Sequence, residues 1–386
     1  MLLRNARLVD RGTVRRGDVA VDAERGSVRA VGTVEARRGE RVVDCSDRTI
    51  VPGLVDAHVH YSLSGDRTVA PTVDASDADL ALVEARNARR TLEAGVTGAR
   101  TMGARCVDVA VRDRIAAGDV AGPRTVASGR SVTVTGGHGH HMGREIDGPA
   151  DARRAVREEV KAGADFVKFM TTGGVTTPGT DPDAAVMTPA EVEAVVDEAE
   201  RRGVDTATHA HGAEGVRLAA ETGVDTVEHG TFLDDDAIRA MLDNDVTLCP
   251  TLSAPHHIVR NLDAATDSDA RKTNQVYDRH LESFRRAVDA GIPIAGGTDA
   301  GTPFNHHGGN AAEVEFMIEN GLEPVAAIRA MTETAAETVG LDGCGTLELG
   351  SHADLLVLHG DPTADPTTLN DPGAVLKGGR VVAGEL

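Results

Sequence analysis

The run Val51-Pro52-Gly53-Leu54-Val55-Asp56-Ala57-His58-Val59-His60 sets two histidines two residues apart at the end of an apolar stretch. On a β-strand, residues i and i+2 point to the same face, so His58 and His60 can grip one metal ion side by side. Two ordinary strand histidines would read the same way, and only the rest of the chain decides between them. Lys168 stands in the apolar segment Phe166-Val167-Lys168-Phe169-Met170. His209 lies in Thr208-His209-Ala210-His211-Gly212, His229 in Val227-Glu228-His229-Gly230, and Asp299 in Gly296-Gly297-Thr298-Asp299-Ala300-Gly301. Imidazole and carboxylate are ligands for divalent cations such as zinc, and a metal-held water is a nucleophile at neutral pH. Any one of these residues alone reads better as a satisfied core or rim side chain. The set together points to a metal site.

Lys168 needs its own explanation, because an ammonium between metal cations is repelled. Burial and positive neighbours depress a lysine pKa. The neutral amine can add carbon dioxide to form a carbamate, an anionic ligand with two oxygens. The competing reading is a lysine whose stem lies along a barrel rim with its ammonium in water. The chain has only four lysines, Lys161, Lys168, Lys272 and Lys377, and one of them in an apolar strand favours the carbamate.

Such residues must be held by strands that end together. Ser76–Ala94 reads as a helix stopped by Gly95, followed by the strand Val96–Arg100; Arg124–Ser131 is a further strand. Ala150–Ala162 is a helix stopped by Gly163, before the strand Asp165–Met170. Thr188-Pro189-Ala190-Glu191 is a capping box with proline at the first helical position. That helix runs to Arg202 and stops at Gly203. Short strands follow at Asp205–His209, Thr226–His229, Thr247–Pro250 and Ile294–Asp299. Counted from Val51–His60, eight strand-like segments separated by helices fit a (β/α)8 TIM barrel, typically ~250 residues. A doubly wound sheet is the alternative, but no Gly-x-Gly-x-x-Gly follows the first strand. In a barrel the active site lies at the C-terminal strand ends, where His58, His60, Lys168, His209, His229 and Asp299 all fall.

Residues 1–51 and the tail 345–386 read differently, as short β-segments broken by glycine and charged turns. They are expected to form a small composite β-sandwich domain around the barrel of 52–344. Hydrophobic residues make up 40% of 386 residues without any run long enough to span a bilayer, and the start lacks a signal peptide's apolar core, so a cytoplasmic protein without membrane partners is expected. The formal net charge of −21 argues against nucleic-acid partners. Arginine supplies nearly all the basic residues, and this acidic, lysine-poor balance resembles proteins of salt-loving archaea, where molar salt screens self-repulsion. An acidic mesophilic protein from a GC-rich genome is the alternative. Cys45, Cys106, Cys249 and Cys344 are scattered and read as free thiols. Homo-oligomerisation stays open.

Together these motifs resemble the amidohydrolase superfamily, binuclear type, over essentially the whole chain. The stretches Thr135-Gly136-Gly137-His138-Gly139, Ala164-Asp165-Phe166-Val167-Lys168, Glu228-His229-Gly230-Thr231, Thr298-Asp299-Ala300-Gly301-Thr302-Pro303 and Gly345-Thr346-Leu347-Glu348-Leu349-Gly350-Ser351-His352-Ala353-Asp354-Leu355 are similar to its imidazolonepropionase-like, prolidase-like branch. The resemblance implies two divalent metal ions, usually zinc. His58, His60 and Asp299 would hold one, His209 and His229 the other, with carboxylated Lys168 and a hydroxide between them. Asp299 would act as general acid and base. His138 and His211 are expected to contact the substrate or to orient a ligand. His256-His257 and His306-His307 read as solvated loop residues, although the segment after strand seven could form a lid. Some relatives place a tyrosine beside the strand-six histidine, where Phe232 lacks a hydroxyl.

The expected substrate is a small molecule with a C–N amide bond, a dipeptide (Xaa-Pro dipeptidase-like) or an N-acyl amino acid. A cyclic-amide hydrolase of the imidazolonepropionase kind is the alternative, and Lys168 tilts against it. A nucleobase-type deaminase built on His211 and Glu214 leaves Lys168 without a role. A catalytically inactive scaffold of the same fold would be expected to have lost ligand positions. Asp181, Asp183 or Asp234 would favour a basic substrate if they lined the pocket, although such charges usually belong to a solvated face.

Overall fold

Parallel strands recur at Leu54–Val59, Val96–Thr101, Arg124–Ala127, Phe166–Met170, Asp205–Gly212, Thr226–Phe232 and Thr247–Cys249 in a computed structural model that describes residues 1–386. Apart from the half-buried Val126 and Phe232, their apolar side chains are buried on both faces, as parallel strands between a packed interior and outer helices require. Neighbours pair in chain order. The third and fourth strands are joined where Asp165 N–H donates to Ala127 O at 2.8 Å. The ring closes through residues 293–300. There Leu248 N–H donates to Pro293 O (2.9 Å), while Ala57 N–H donates to Gly296 O (2.9 Å) and Asp299 N–H to His58 O (2.7 Å).

Two strands expected from the sequence are interrupted. Residues 294–299 form only single bridges, Leu248↔Ile294 and Val59↔Ala300, to the strands on either side. A Cβ at Gly297 would stand 2.5 Å from Cys249 Sγ and 2.8 Å from the His58 nitrogen, so glycine is required for this close approach. The stretch 124–131 stops at Ala127, because Gly129 takes φ +71°, and pairing resumes at Val132–Val134.

Helix ends follow the capping chemistry of the sequence. Thr188 and Glu191 form the reciprocal capping box, with Thr188 N–H donating to Glu191 Oε2 at 2.8 Å, and the helix Pro189–Arg202 ends at Gly203 in the left-handed region. After the seventh strand, helices Ser253–Arg260 and Asp267–Ala290 fold back across the barrel mouth, where the sequence suggested a lid.

The two termini build one mixed eight-stranded sheet. Leu355–His359 runs antiparallel to Arg48–Pro52, pairing Leu355 with Pro52 and His359 with Arg48, which stitches the tail onto the strand just before the barrel. This sheet has an apolar core of its own, containing Leu3, Leu8, Val19, Ile50, Leu355 and Leu376. The larger core lies between the barrel and its helices. No helix is long and apolar enough to cross a membrane.

Candidate metal centre and active site

The strand ends bring His58, His60, Lys168, His209, His211, His229 and Asp299 to one cavity, together with His138 from the loop after the third strand. His58 Nε2 lies 3.3 Å and His60 Nε2 3.2 Å from Asp299 Oδ1. A tetrahedral ion with ligands at about 2.0–2.1 Å sets neighbouring ligand atoms about 3.3 Å apart. Each histidine nitrogen therefore stands at the spacing from Asp299 Oδ1 that two ligands of one ion would have. A second group forms beside it, since the ligand atoms of His209, His211 and His229 lie within 4.8 Å of one another. The same limit holds for His58, His229 and Asp299, so His229 borders both groups. This donor set, imidazoles with one carboxylate, fits zinc or a similar divalent ion.

Backbone conformation is bent to this purpose. His229 and Asp299 both lie in the left-handed region, at φ 74° and 57°. Such non-glycine conformations cost energy and cluster at functional sites. At His229 the turn breaks strand alternation, so that Glu228 and His229 both reach His58. Asp56 pins the first strand to the eighth segment. It accepts from Thr298 Oγ1 (2.6 Å), Thr298 N–H (3.0 Å) and Asn310 Nδ2 (2.7 Å), which sets Asp299 opposite His58.

Most of the histidines commit one ring nitrogen to the protein and leave the other for a ligand. His58 Nδ1 lies 2.7 Å from Glu228 Oε2, His211 Nδ1 2.7 Å from Thr231 Oγ1, His229 Nδ1 2.7 Å from Thr251 Oγ1, and His209 Nε2 3.0 Å from Gly173 O. Burial holds His209, His211 and His229 well below the ordinary imidazole range, so they are neutral and able to donate to a metal. Burial would raise Asp299, but the imidazoles of His58 and His60 outweigh it and hold the carboxylate ionised.

Lys168 is 2% exposed and its Nζ has no hydrogen-bond partner. Burial lowers the amine to about 8, against the pull of Glu228. This is not a rim lysine with its ammonium in water; an orphaned buried Nζ calls for a partner or a modification.

His138 stacks on His209 with ring centroids 4.3 Å apart, and its buried Nδ1 has no partner. Gly174 makes this possible, because a Cβ there would lie 2.4 Å from His138 Nδ1. His211 stands closer to the centre than a peripheral contact would, stacked 4.7 Å from His229. Of the histidines expected in solvated loops, His307 is buried, and its Nε2 meets His60 O and Leu63 O at 3.1 and 3.0 Å and so holds the loop after the first strand. His306 lies against Ser64 O, whereas His256 and His257 belong to the helix Ser253–Arg260 and are half-buried, with His256 against Tyr277. Neither Phe232 nor any of Asp181, Asp183, Asp234 and Glu214 lines the cavity. Asp234 instead caps the helix Asp235–Asp243, and Glu214 is exposed.

Three residues not singled out from the sequence support the centre. Glu228 Oε1 accepts from Arg100 Nη2 at 2.8 Å and from Thr226 Oγ1 at 2.7 Å, while Arg100 Nε donates to Ala57 O at 2.7 Å. His280 Nε2 meets His229 O at 2.9 Å. The available signal for the first two was a charged residue inside an apolar strand. Glu228→Gln leaves Arg100 buried without its counter-charge, so the unfolding free energy, read by urea titration, is expected to fall by about 3 kcal/mol. An unchanged midpoint would mean that the pair contributes nothing to folding.

Fold and site define a metal-dependent barrel hydrolase acting on C–N bonds. The chain belongs to the amidohydrolase family, whose model matches residues 49–382. A Xaa-Pro dipeptidase, solved with methionine bound in its active site, superposes with a TM-score of 0.92 at 31% identity, over 99% of each chain. Ochratoxinase from Aspergillus niger is 28% identical over 373 residues, 87% of this chain and 76% of that one. An imidazolonepropionase from Salinispora tropica is 27% identical over 374 residues, 88% of this chain and 86% of its own.

Proposed function

We propose that the protein hydrolyses the amide bond of a dipeptide or N-acyl amino acid, using His58, His60 and Asp299 to hold one zinc ion and His209 and His229 to hold a second. Carboxylated Lys168 would lie between them. The observation that carries this reading is that His58 and His60 each lie 3.2–3.3 Å from Asp299 in the cavity that the orphaned Lys168 amine also lines. When bound, the ions supply Lewis acidity that lowers the pKa of water and polarises an amide carbonyl.

The chain's own residues do the rest. Asp299, ionised at rest, takes the proton of the attacking water and passes it to the leaving nitrogen. The His138 ring lines the cavity and would contact the substrate there. The helices over the barrel mouth limit access of bulk water. Met102, Met142, Met170, Val175, Ile258 and Val276 form an apolar wall, which suits an apolar substrate side chain rather than a basic one. The exposure of Glu214 removes the acid that a deaminase reading would need, and the presence of every ligand side chain speaks against an inactive scaffold.

The test is amino-acid release from a library of dipeptides and N-acyl amino acids, with protein reconstituted in zinc and bicarbonate. High KCl is the proposed medium, because the acidic, lysine-poor surface suits a haloarchaeal cytoplasm. Release is expected, strongest for apolar side chains. Protein shown by metal analysis to hold two ions but releasing no amino acid would sink this reading and leave the cyclic-amide one.

A further inference from the structure

A second cleft, of about 570 Å³, lies at the seam between the barrel and the terminal sheet. It shares no residue with the catalytic cavity. Arg124 and Thr125 open the third barrel strand and Ile115 lies in the last turn of the preceding helix, Val107–Ala117, so the cleft faces the N-terminal side of the barrel, away from the chemistry.

Its charge is inverted relative to the molecule. The chain has 61 acidic residues against 40 Lys and Arg. The cleft is lined by Arg25, Arg112, Arg124, Lys377 and Arg380, with Glu24 as its single acid. Two of these cations are neutralised within the fold. Arg112 pairs with Asp113 and Asp165, and Arg124 Nε donates to Asp354 Oδ2 at 2.7 Å. The other three carry no ion pair. Lys377 Nζ donates only to the Gly122 carbonyl. Arg25 uses its backbone N–H on Asp22 and keeps its guanidinium free, as does Arg380.

These three are brought together by two tight turns. Lys377 and Arg380 are directly opposed in an antiparallel hairpin, across Gly378 and Gly379, which both take positive φ. Like charges in that position destabilise the pairing. The turn carrying Arg25 packs against the same hairpin, with the Cβ position of Gly26 only 3.5 Å from Gly378 Cα. Three unpaired cations are thus held at one place by backbone geometry, above an apolar floor of Ile115 and Leu341.

We propose that this cleft binds a phosphate-bearing small molecule. Arginine forks match phosphate oxygens in pairs, a lysine adds a point charge, and the apolar floor takes the organic part of the ligand. Because Arg124–Asp354 and Lys377–Gly122 cross the seam at this point, a bound phosphate ties the terminal sheet to the barrel and raises the melting temperature by mass action.

The experiment is isothermal titration of the full chain with inorganic pyrophosphate, adenosine monophosphate, adenosine and citrate at fixed ionic strength. Melting curves are recorded in parallel, for wild type and for the double variant R25A/R380A. Pyrophosphate and adenosine monophosphate are expected to bind and raise the melting temperature, adenosine not to bind, and the double variant to bind at least tenfold more weakly with unchanged amide hydrolysis. Citrate binding as tightly as pyrophosphate would overturn the phosphate assignment. Absence of binding, or equal binding by the variant, would overturn the site itself. Light scattering that shows a wild-type dimer dissociating in the variant would make the cleft a contact for the acidic surface of a second copy and would also overturn it.

Discussion

Asp299→Asn is expected to lower kcat for amide hydrolysis by about 10³-fold, within the range that a positioned acid–base group contributes. Asparagine is the right replacement for three reasons. It has the size of aspartate. It tolerates the left-handed conformation that residue 299 adopts at φ 57°, where alanine or a branched residue would add strain. It also keeps the backbone N–H that donates to His58 O. What it loses is the capacity to accept a proton and the negative charge beside His58 and His60. Metal content, measured on the same samples, separates the two losses. A variant that retains its metal but turns over at the expected low rate places the proton transfer on Asp299. A variant within tenfold of wild type at full metal loading would remove Asp299 from the proton path.

The ligand-type residues were legible because polar side chains stand out within or at the end of apolar strand runs, with glycine following closely after His211, His229 and Asp299. Lys168 stood out through scarcity, in a chain with four lysines. The supporting layer was not legible. Glu228 looks like part of a motif around His229. Its role depends on the left-handed turn at His229 and on Arg100 arriving from a strand more than a hundred residues earlier, and neither leaves a local trace. The eighth segment shows the same limit from the other side. Its apolar pattern predicts a strand, yet Gly296 and Gly297 are there to let the backbone pass close to Met331 and His58, and the ladder is reduced to single bridges. Helix ends, which depend on a few neighbouring residues, were readable almost to the residue, as at Thr188 and Gly203.

Lys168→Met carries the second large effect, because it separates what the lysine does for folding from what it does for chemistry. Methionine nearly matches lysine in length and volume, so the packing around residue 168 is kept. In the metal-free protein the substitution removes a buried amine that has no hydrogen-bond partner. Replacing an unsatisfied buried polar group with an apolar one of similar shape is neutral or stabilising. The urea midpoint of metal-free Lys168→Met is therefore expected to equal or exceed that of wild type. Activity is expected to move the opposite way, by about 10³-fold or more, since methionine cannot form the carbamate and supplies no oxygen to the centre. A short carboxylic acid added to the variant can occupy the space near residue 168 and return one or two oxygen ligands, so partial recovery in acetate or propionate is the expected signature. Carbon-13 NMR of wild type equilibrated with labelled bicarbonate should show a carbamate resonance that Lys168→Met lacks. A variant that unfolds much earlier than wild type when metal-free would show that the amine is held by partners and is structural. A variant with wild-type turnover would show that the amine takes no part in the centre, and the carbamate would have to be abandoned.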